Sequence, residues 1–154
     1  MFRKMRRHKK EMDKKTAMAV LESGEYGILA TQSEDGYPYA VPLNYAVHQG
    51  AIYFHCATTG HKLDNLAHND KVSFCVVPQA EILPKEFSTR FKSVVVFGRA
   101  CAVEGEEKEA GLLALVQRFS PEFLEEGKTY IRNAAAKTQV IKITMESLTG
   151  KTGD

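Results

Sequence analysis

Hydrophobic and polar positions alternate with the period of a strand in five stretches of this chain, and several segments between and around them carry the wider spacing of a helix. From Ala51 to Cys56, the side chains of Ile52, Phe54 and Cys56 fall on one face and those of Tyr53 and His55 on the other, as in a half-buried strand. The strand stops at Thr58-Thr59-Gly60. From His61 the apolar positions Leu63, Leu66 and Ala67 take helical spacing, so a helix begins near His61 with the threonines placed to cap it. Lys71 to Val77 alternates again, with Val72, Phe74 and Val76 against Ser73, Cys75 and Val77.

Upstream, residues 11 to 23 are good helix formers, with Ala17, Val20, Leu21 and Gly24 on one stripe and Gly24 suited to the C-terminal cap. Glu25 to Gln32 alternates, and Ser33-Glu34-Asp35-Gly36 has the turn chemistry of a hairpin. The answering strand, Tyr37 to His48, is lopsided: Tyr37, Tyr39, Val41, Leu43, Tyr45 and Val47 oppose Pro38, Ala40, Pro42, Asn44, Ala46 and His48. Pro38 and Pro42 withdraw donors from the same edge, so this strand is not fully paired there. Either the prolines guard an edge strand against aggregation, or the bare backbone leaves room for a flat ligand. Gln49-Gly50 closes a second hairpin.

Downstream, residues 78 to 91, bounded by Pro78 and holding Pro84, have no sustained period and read as a long loop. Such loops form lids or reach another subunit, and Phe87, Arg90 and Phe91 either anchor this one or contact a ligand. Ser93 to Val103 is strongly β-prone, with Gly98 marking a bend or bulge. Leu112, Leu115, Val116 and Phe119 make residues 107 to 119 an amphipathic helix; Ser120-Pro121 opens another, and residues 128 to 137 are helical. Thr138 to Met145 returns to alternation, and the tail after Leu148 is expected to be mobile. Runs of hairpins followed by helices and a returning strand predict one mainly β (α+β) domain over residues 1–154. Pattern alone allows either a small antiparallel barrel with peripheral helices or an open sheet.

Chemistry concentrates where the helix near His61 begins. A helix N-terminus offers free N–H groups and a partial positive charge, to which Lys62, the Thr58 and Thr59 hydroxyls and a protonated His61 would add donors for a phosphate-sized anion. The same residues also suit an ordinary capped helix with a solvated lysine. No GxSxG, HExxH, P-loop or GxGxxG is present, and the five histidines lack compact metal-ligand spacing, so no metal is expected. Three cysteines without CxxC spacing indicate neither disulfides nor zinc and suit a reducing cytoplasm. No signal peptide or membrane span is apparent.

The chain has 154 residues and a net charge of +2, but its first ten residues hold six Lys or Arg and no acid, leaving the body at −4. That basic arm, residues 1–10, has no interleaved aromatics or basic body behind it. It is therefore expected to be solvated or to cross to another subunit, with no nucleic-acid or membrane partner.

The runs Tyr53-Phe54-His55-Cys56, Gly60-His61-Lys62-Leu63-Asp64-Asn65 and Val72-Ser73-Phe74 resemble the pyridoxamine-phosphate-oxidase-like FMN-binding split barrels. Their nitroimidazole-resistance-type branch is nearest. The likeness extends upstream through Tyr26 to Thr31, Asp35 to Pro38 and Val41 to Tyr45, and downstream through Ser93 to Ala100. It implies an antiparallel split β-barrel with peripheral helices that binds FMN as a homodimer, the cofactor lying at the interface. Val41, Pro42, Leu43, Asn44 and Tyr45 would meet the flavin ring, and Thr58, Thr59, His61 and Lys62 its phosphate. His55 either touches flavin or substrate, making it the candidate catalytic residue, or is a strand histidine satisfied by backbone.

The implied activity is flavin-dependent reduction of a small oxidised compound, nitroaromatic-like, with nicotinamide-derived electrons. The alternatives are a flavin carrier or sensor without turnover, or haem or deazaflavin binding on the same fold. Pyridoxamine-phosphate oxidation itself is disfavoured, because Lys142 to Asp154 lacks a counterpart of that enzyme's C-terminal Arg-containing substrate segment.

Overall fold

The computed structural model describes residues 1–153. Its strands are β1 (Tyr26–Gln32), β2 (Pro38–Asn44), β3 (Ala46–His48), β4 (Ala51–Cys56), β5 (Lys71–Leu83), β6 (Ser88–Val103) and β7 (Gln139–Gly153). They form one antiparallel sheet in the order β2-β1-β5-β6-β7-β4-β3. Around it lie the helices α1 (Lys14–Ser23), α2 (His61–His68), α3 (Gly105–Phe119) and α4 (Leu124–Ala134). The sheet curls into the antiparallel split barrel with peripheral helices.

What closes the curl is a break in the strand expected over Tyr37 to His48. Its first part, β2, pairs with β1 from Tyr26 opposite Asn44 to Gln32 opposite Pro38; its last part, β3, pairs with β4. These are the two outermost strands of the sheet, and Tyr45 alone joins them. Tyr45 is only 1% exposed, packs edge-on against Phe74 at 4.9 Å, and donates its hydroxyl hydrogen to the Leu21 carbonyl. Burial pushes its pKa up to about 12. Alternation runs on through this pivot, with Tyr45 and Val47 on the same core as Val41 and Leu43, and Ala46 on the opposite face is buried because Ala114 and Leu115 of α3 cover it. Gly24 serves the same pivot: its backbone is extended, not left-handed, and a Cβ there would collide with the Tyr45 hydroxyl and Val76.

The core lies on the concave face, where Leu29, Phe54, Phe74, Val96, Ile141 and Ile143 meet Ala17, Val20 and Leu21 of α1. Asp13 caps α1 by accepting from the Thr16 N–H at 2.8 Å. The convex face is divided. Over β4 and β7, α3 and α4 cover Tyr53 and Val140 with Leu112 and Ile131, whereas Tyr26, Ile28, Val77 and Phe97 of the other half stay exposed.

Two expectations are corrected. Residues 78 to 91 are no loop: Gln79 to Leu83 pairs with Ser88 to Lys92, extending the β5–β6 hairpin beyond a bulge after Val76. Pro78 and that bulge break the alternation, and a pairing partner contributed by another segment leaves no trace in local period. The tail expected to be mobile is the second half of β7, paired along β6 as far as Phe91 opposite Gly153; Asp154 lies outside the described residues. Its polar residues Thr149, Lys151 and Thr152 are held by backbone pairing that needs no apolar face. The lysines and arginines of the basic arm are exposed apart from half-buried Lys10, and at its start Phe2 stacks on Phe97 at 5.4 Å. By contrast, the bend expected at Gly98 is present as a bulge between Phe97 and Gly98, where a Cβ would run into the Thr144 carbonyl.

Candidate functional site

Helix α2 begins at His61, as its spacing predicts, but its N-cap is Gly60, at φ 153°, and neither threonine caps it. What fixes the helix is a polar stripe. His61, Asn65 and Asn69, four residues apart, bond Ser33 at 3.0 Å, Thr31 at 2.9 Å and Gln32 at 2.8 Å, three consecutive residues at the end of β1 and its turn. His61 also stacks on Tyr39 of β2 at 3.9 Å. Leu63 and Leu66 pack on the core, whereas Ala67, expected on the apolar stripe, is exposed and Asn65 is the buried residue. Sequence reading missed the stripe because apolar spacing says nothing about which polar residues are buried.

This docking decides what the presumed phosphate set offers. One ring nitrogen of His61 is taken by Ser33, so His61 is first a strut between α2 and the β1–β2 turn. Thr58 and Thr59 are exposed with hydroxyls unengaged by any described residue, and Lys62 makes no ion pair among the described residues. The Lys62 charge reaches Cys56, whose thiol burial pushes up and Lys62 pulls partly back. Gly60, two hydroxyls and one uncommitted ammonium at a helix start make a cradle for an anion.

Beside it runs the free edge of β2. Val41 and Leu43 turn their side chains to the core, Ala40, Pro42 and Asn44 face outward, and both prolines lie on the sheet's outermost strand. From Val41 to Tyr45 a ligand therefore finds backbone and the outward residues; the Tyr45 ring is committed to the core. Asn44 donates one amide hydrogen to the Glu25 carbonyl at 2.8 Å. The barrel closure carries Asn44 to His55, on the convex face of β4, and both line a slot of about 560 Å³ between α3 and α4. His55 remains exposed to solvent at the slot, yet partial desolvation beside these apolar walls holds its pKa below the usual histidine value, and it has no hydrogen-bond partner among the described residues.

Phe119, Phe123 and Tyr130 of the slot were missed as well; helical spacing at Phe119 marks an apolar face but not what that face leaves open. Phe87, Arg90 and Phe91 do not join this site within one chain. Phe87 is 97% exposed at the hairpin tip, Arg90 pairs with Glu81 at 3.0 Å, and Phe91 lies against Gly153 beneath the Lys151 ammonium. A separate network, Tyr53 and Lys142 on Glu107 at 3.1 and 2.9 Å, clamps α3 to the sheet; the Lys142 hydrogen bond holds the Glu107 carboxyl below its usual pKa. Cys56, Cys75 and Cys101 are free thiols, and among the described residues no three potential ligands converge as a metal site. No helix there is long and apolar enough to cross a membrane.

A family model described as pyridoxamine 5'-phosphate oxidase matches residues 13–152. No curated protein matches the chain in sequence. Among solved structures, a candidate 5-nitroimidazole antibiotic resistance protein from Bacteroides thetaiotaomicron superposes with a TM-score of 0.80 at 21% identity, over 92% of this chain and 85% of that one. The FAD and haem binding protein from Mycobacterium smegmatis gives 0.82 at 21% identity over 94% and 74%. The flavocytochrome Anf3 from Azotobacter vinelandii gives 0.82 at 20% over 98% and 72%. At these identities the likenesses establish the fold.

Proposed function

Because this chain belongs to the pyridoxamine 5'-phosphate oxidase family, we propose that it is a flavoprotein whose flavin phosphate rests on Lys62. The observation that carries the reading is Lys62 itself: a cation without an ion-pair partner among the described residues, at a helix start whose hydroxyls are also unengaged. Thr58 and Thr59 donate to the phosphate, and the backbone of Val41 to Asn44 on the open β2 edge meets the ring. A bound flavin supplies hydride and electron transfer, so the protein needs no catalytic triad. His55, neutral at the slot, hydrogen-bonds the compound that is reduced. Flavin in the names of the M. smegmatis and A. vinelandii relatives supports the cofactor class, and the phosphate cradle favours FMN.

The activity is reduction of a small oxidised compound, nitroaromatic-like as the B. thetaiotaomicron relative suggests, with nicotinamide-derived electrons. The assembly is a homodimer with FMN at its interface. The exposed apolar half of the convex face, Tyr26, Ile28, Val77 and Phe97, supports that assembly. Anaerobic reoxidation of the reduced protein by a panel of acceptors separates an enzyme from a carrier.

Lys62→Ala tests the cofactor assignment. Losing a charged hydrogen bond is expected to weaken FMN by about 1.5 to 3 kcal/mol, roughly ten- to hundredfold in Kd. Riboflavin, which has the same ring and no phosphate, should be scarcely affected in the same titration. Equal losses for both ligands would move the role of Lys62 to fold or ring.

A further inference from the structure

The slot of about 560 Å³ between α3, α4 and the convex face of β4 is larger than a histidine contact requires and lies in the range of small-ligand pockets. We propose that it binds a neutral planar ring carrying oxygen at one edge, and that it excludes phosphate esters. As the place where substrate sits, this rests on the flavin reading; as a binding site it does not.

Charge comes first. Leu112, Leu115, Val116, Phe119, Phe123 and Ile131 supply apolar walls, and no Lys or Arg lines the slot. Its one formally charged residue is the carboxylate of Glu126. Arg118, on the same helix as four of those walls, is spent elsewhere: it donates to the Ser23 and Gly24 carbonyls at 3.1 and 3.2 Å and lies over the Phe119 ring. A phosphate entering here would lose water and find no countercharge. The slot thus selects against the charged group that defines the family's name-giving substrate.

Polarity comes second, and Glu126 apart it is uncharged. On the sheet side of the slot Asn44 keeps one amide hydrogen and its carbonyl oxygen after bonding Glu25, and His55 makes no hydrogen bond among the described residues, while Ser120, Tyr130 and Thr138 are the other polar residues of the lining. Uncharged hydrogen-bonding groups on the sheet side of a mostly apolar slot match a ring bearing a carbonyl, hydroxyl or nitro oxygen. Gly127 sets the approach of the helices, since a Cβ there would run into Val116.

The test uses a matched, redox-inert pair, 1-naphthol and 1-naphthyl phosphate, titrated calorimetrically into the full-length chain with and without saturating FMN. The expected result is naphthol binding at least about tenfold tighter than its phosphate. Ala134→Phe, which fills the slot from α4, should weaken naphthol by about tenfold or more with FMN affinity changed less than about twofold. Phe123→Ala, which removes a largely exposed ring, preserves the fold and should weaken naphthol several-fold, so a misfolded Ala134→Phe does not decide the matter. Naphthyl phosphate binding as tightly as naphthol overturns the proposal. So does loss of FMN in place of naphthol in Ala134→Phe, or a co-purifying Soret band that vanishes in His55→Ala. Should FMN fail to bind at all, the flavin-free titration still reads the slot, so the two failures are distinct.

Discussion

Tyr45 shows how one side chain decides connectivity. With its ring in the core and its hydroxyl on the Leu21 carbonyl, the backbone must leave β2 and enter β3 at that residue. Tyr45→Phe keeps the ring but leaves the Leu21 carbonyl with only the long Gly24 N–H bond of 3.4 Å, so about 0.5 to 1.5 kcal/mol of stability should be lost in urea unfolding. His55 gives a pH signature. Burial lowers its pKa from the ordinary 6.5, so through the window just below that value the unfolded chain binds more protons than the folded one. Stability should therefore fall as pH drops through that window. His55→Gln should flatten that part of the urea-midpoint profile, and an unchanged slope would remove His55 as its source. The His55 environment was not legible beforehand, since strand alternation gives the face of a residue but not the helix that comes to lie beside it.

Among the elements, α2 was legible in position and opaque in attachment. Its start at His61 followed from apolar spacing, yet the helix is held by His61, Asn65 and Asn69 on Thr31 to Ser33. Asn65→Ala removes the buried member and leaves Thr31 short of a donor, which should cost about 1 to 3 kcal/mol. Because the same helix carries Lys62, the variant should also weaken FMN more than riboflavin, an outcome that equilibrium dialysis of both ligands would decide. The outer half of the β5–β6 hairpin, residues 78 to 91, was opaque. Its outer strands have no core to alternate against, so Ile82, 70% exposed, and Phe87 leave no period to read.

For the whole molecule, the divided convex face is the governing feature: α3 and α4 cover one half, and the other presents an apolar surface continuous with the root of the hairpin at Val77. A two-stranded ribbon with exposed apolar residues is marginal alone, and a second copy would cover it. Phe87→Ser should leave the unfolding midpoint of dilute protein unchanged, since the side chain is exposed and serine keeps the Cβ at the left-handed φ of 49°. In light scattering the same variant should shift the dimer midpoint to higher concentration. A dimer equally tight in both proteins would place the interface away from the hairpin tip.

Local spacing by itself determined most elements, the edge position of a strand with Pro38 and Pro42 outermost, the bulge at Gly98, and the helix that starts at Lys62's doorstep. Each rests on a backbone constraint or a periodicity contained within a few residues. Only the tertiary structure decided that Tyr45 splits a strand between opposite edges, that Asn65 is buried, that residues 149 to 153 complete β7, and that Asn44 meets His55 across a slot. Those facts depend on groups far apart in the chain, and local periodicity carries no information about which distant segment supplies the other half of a contact.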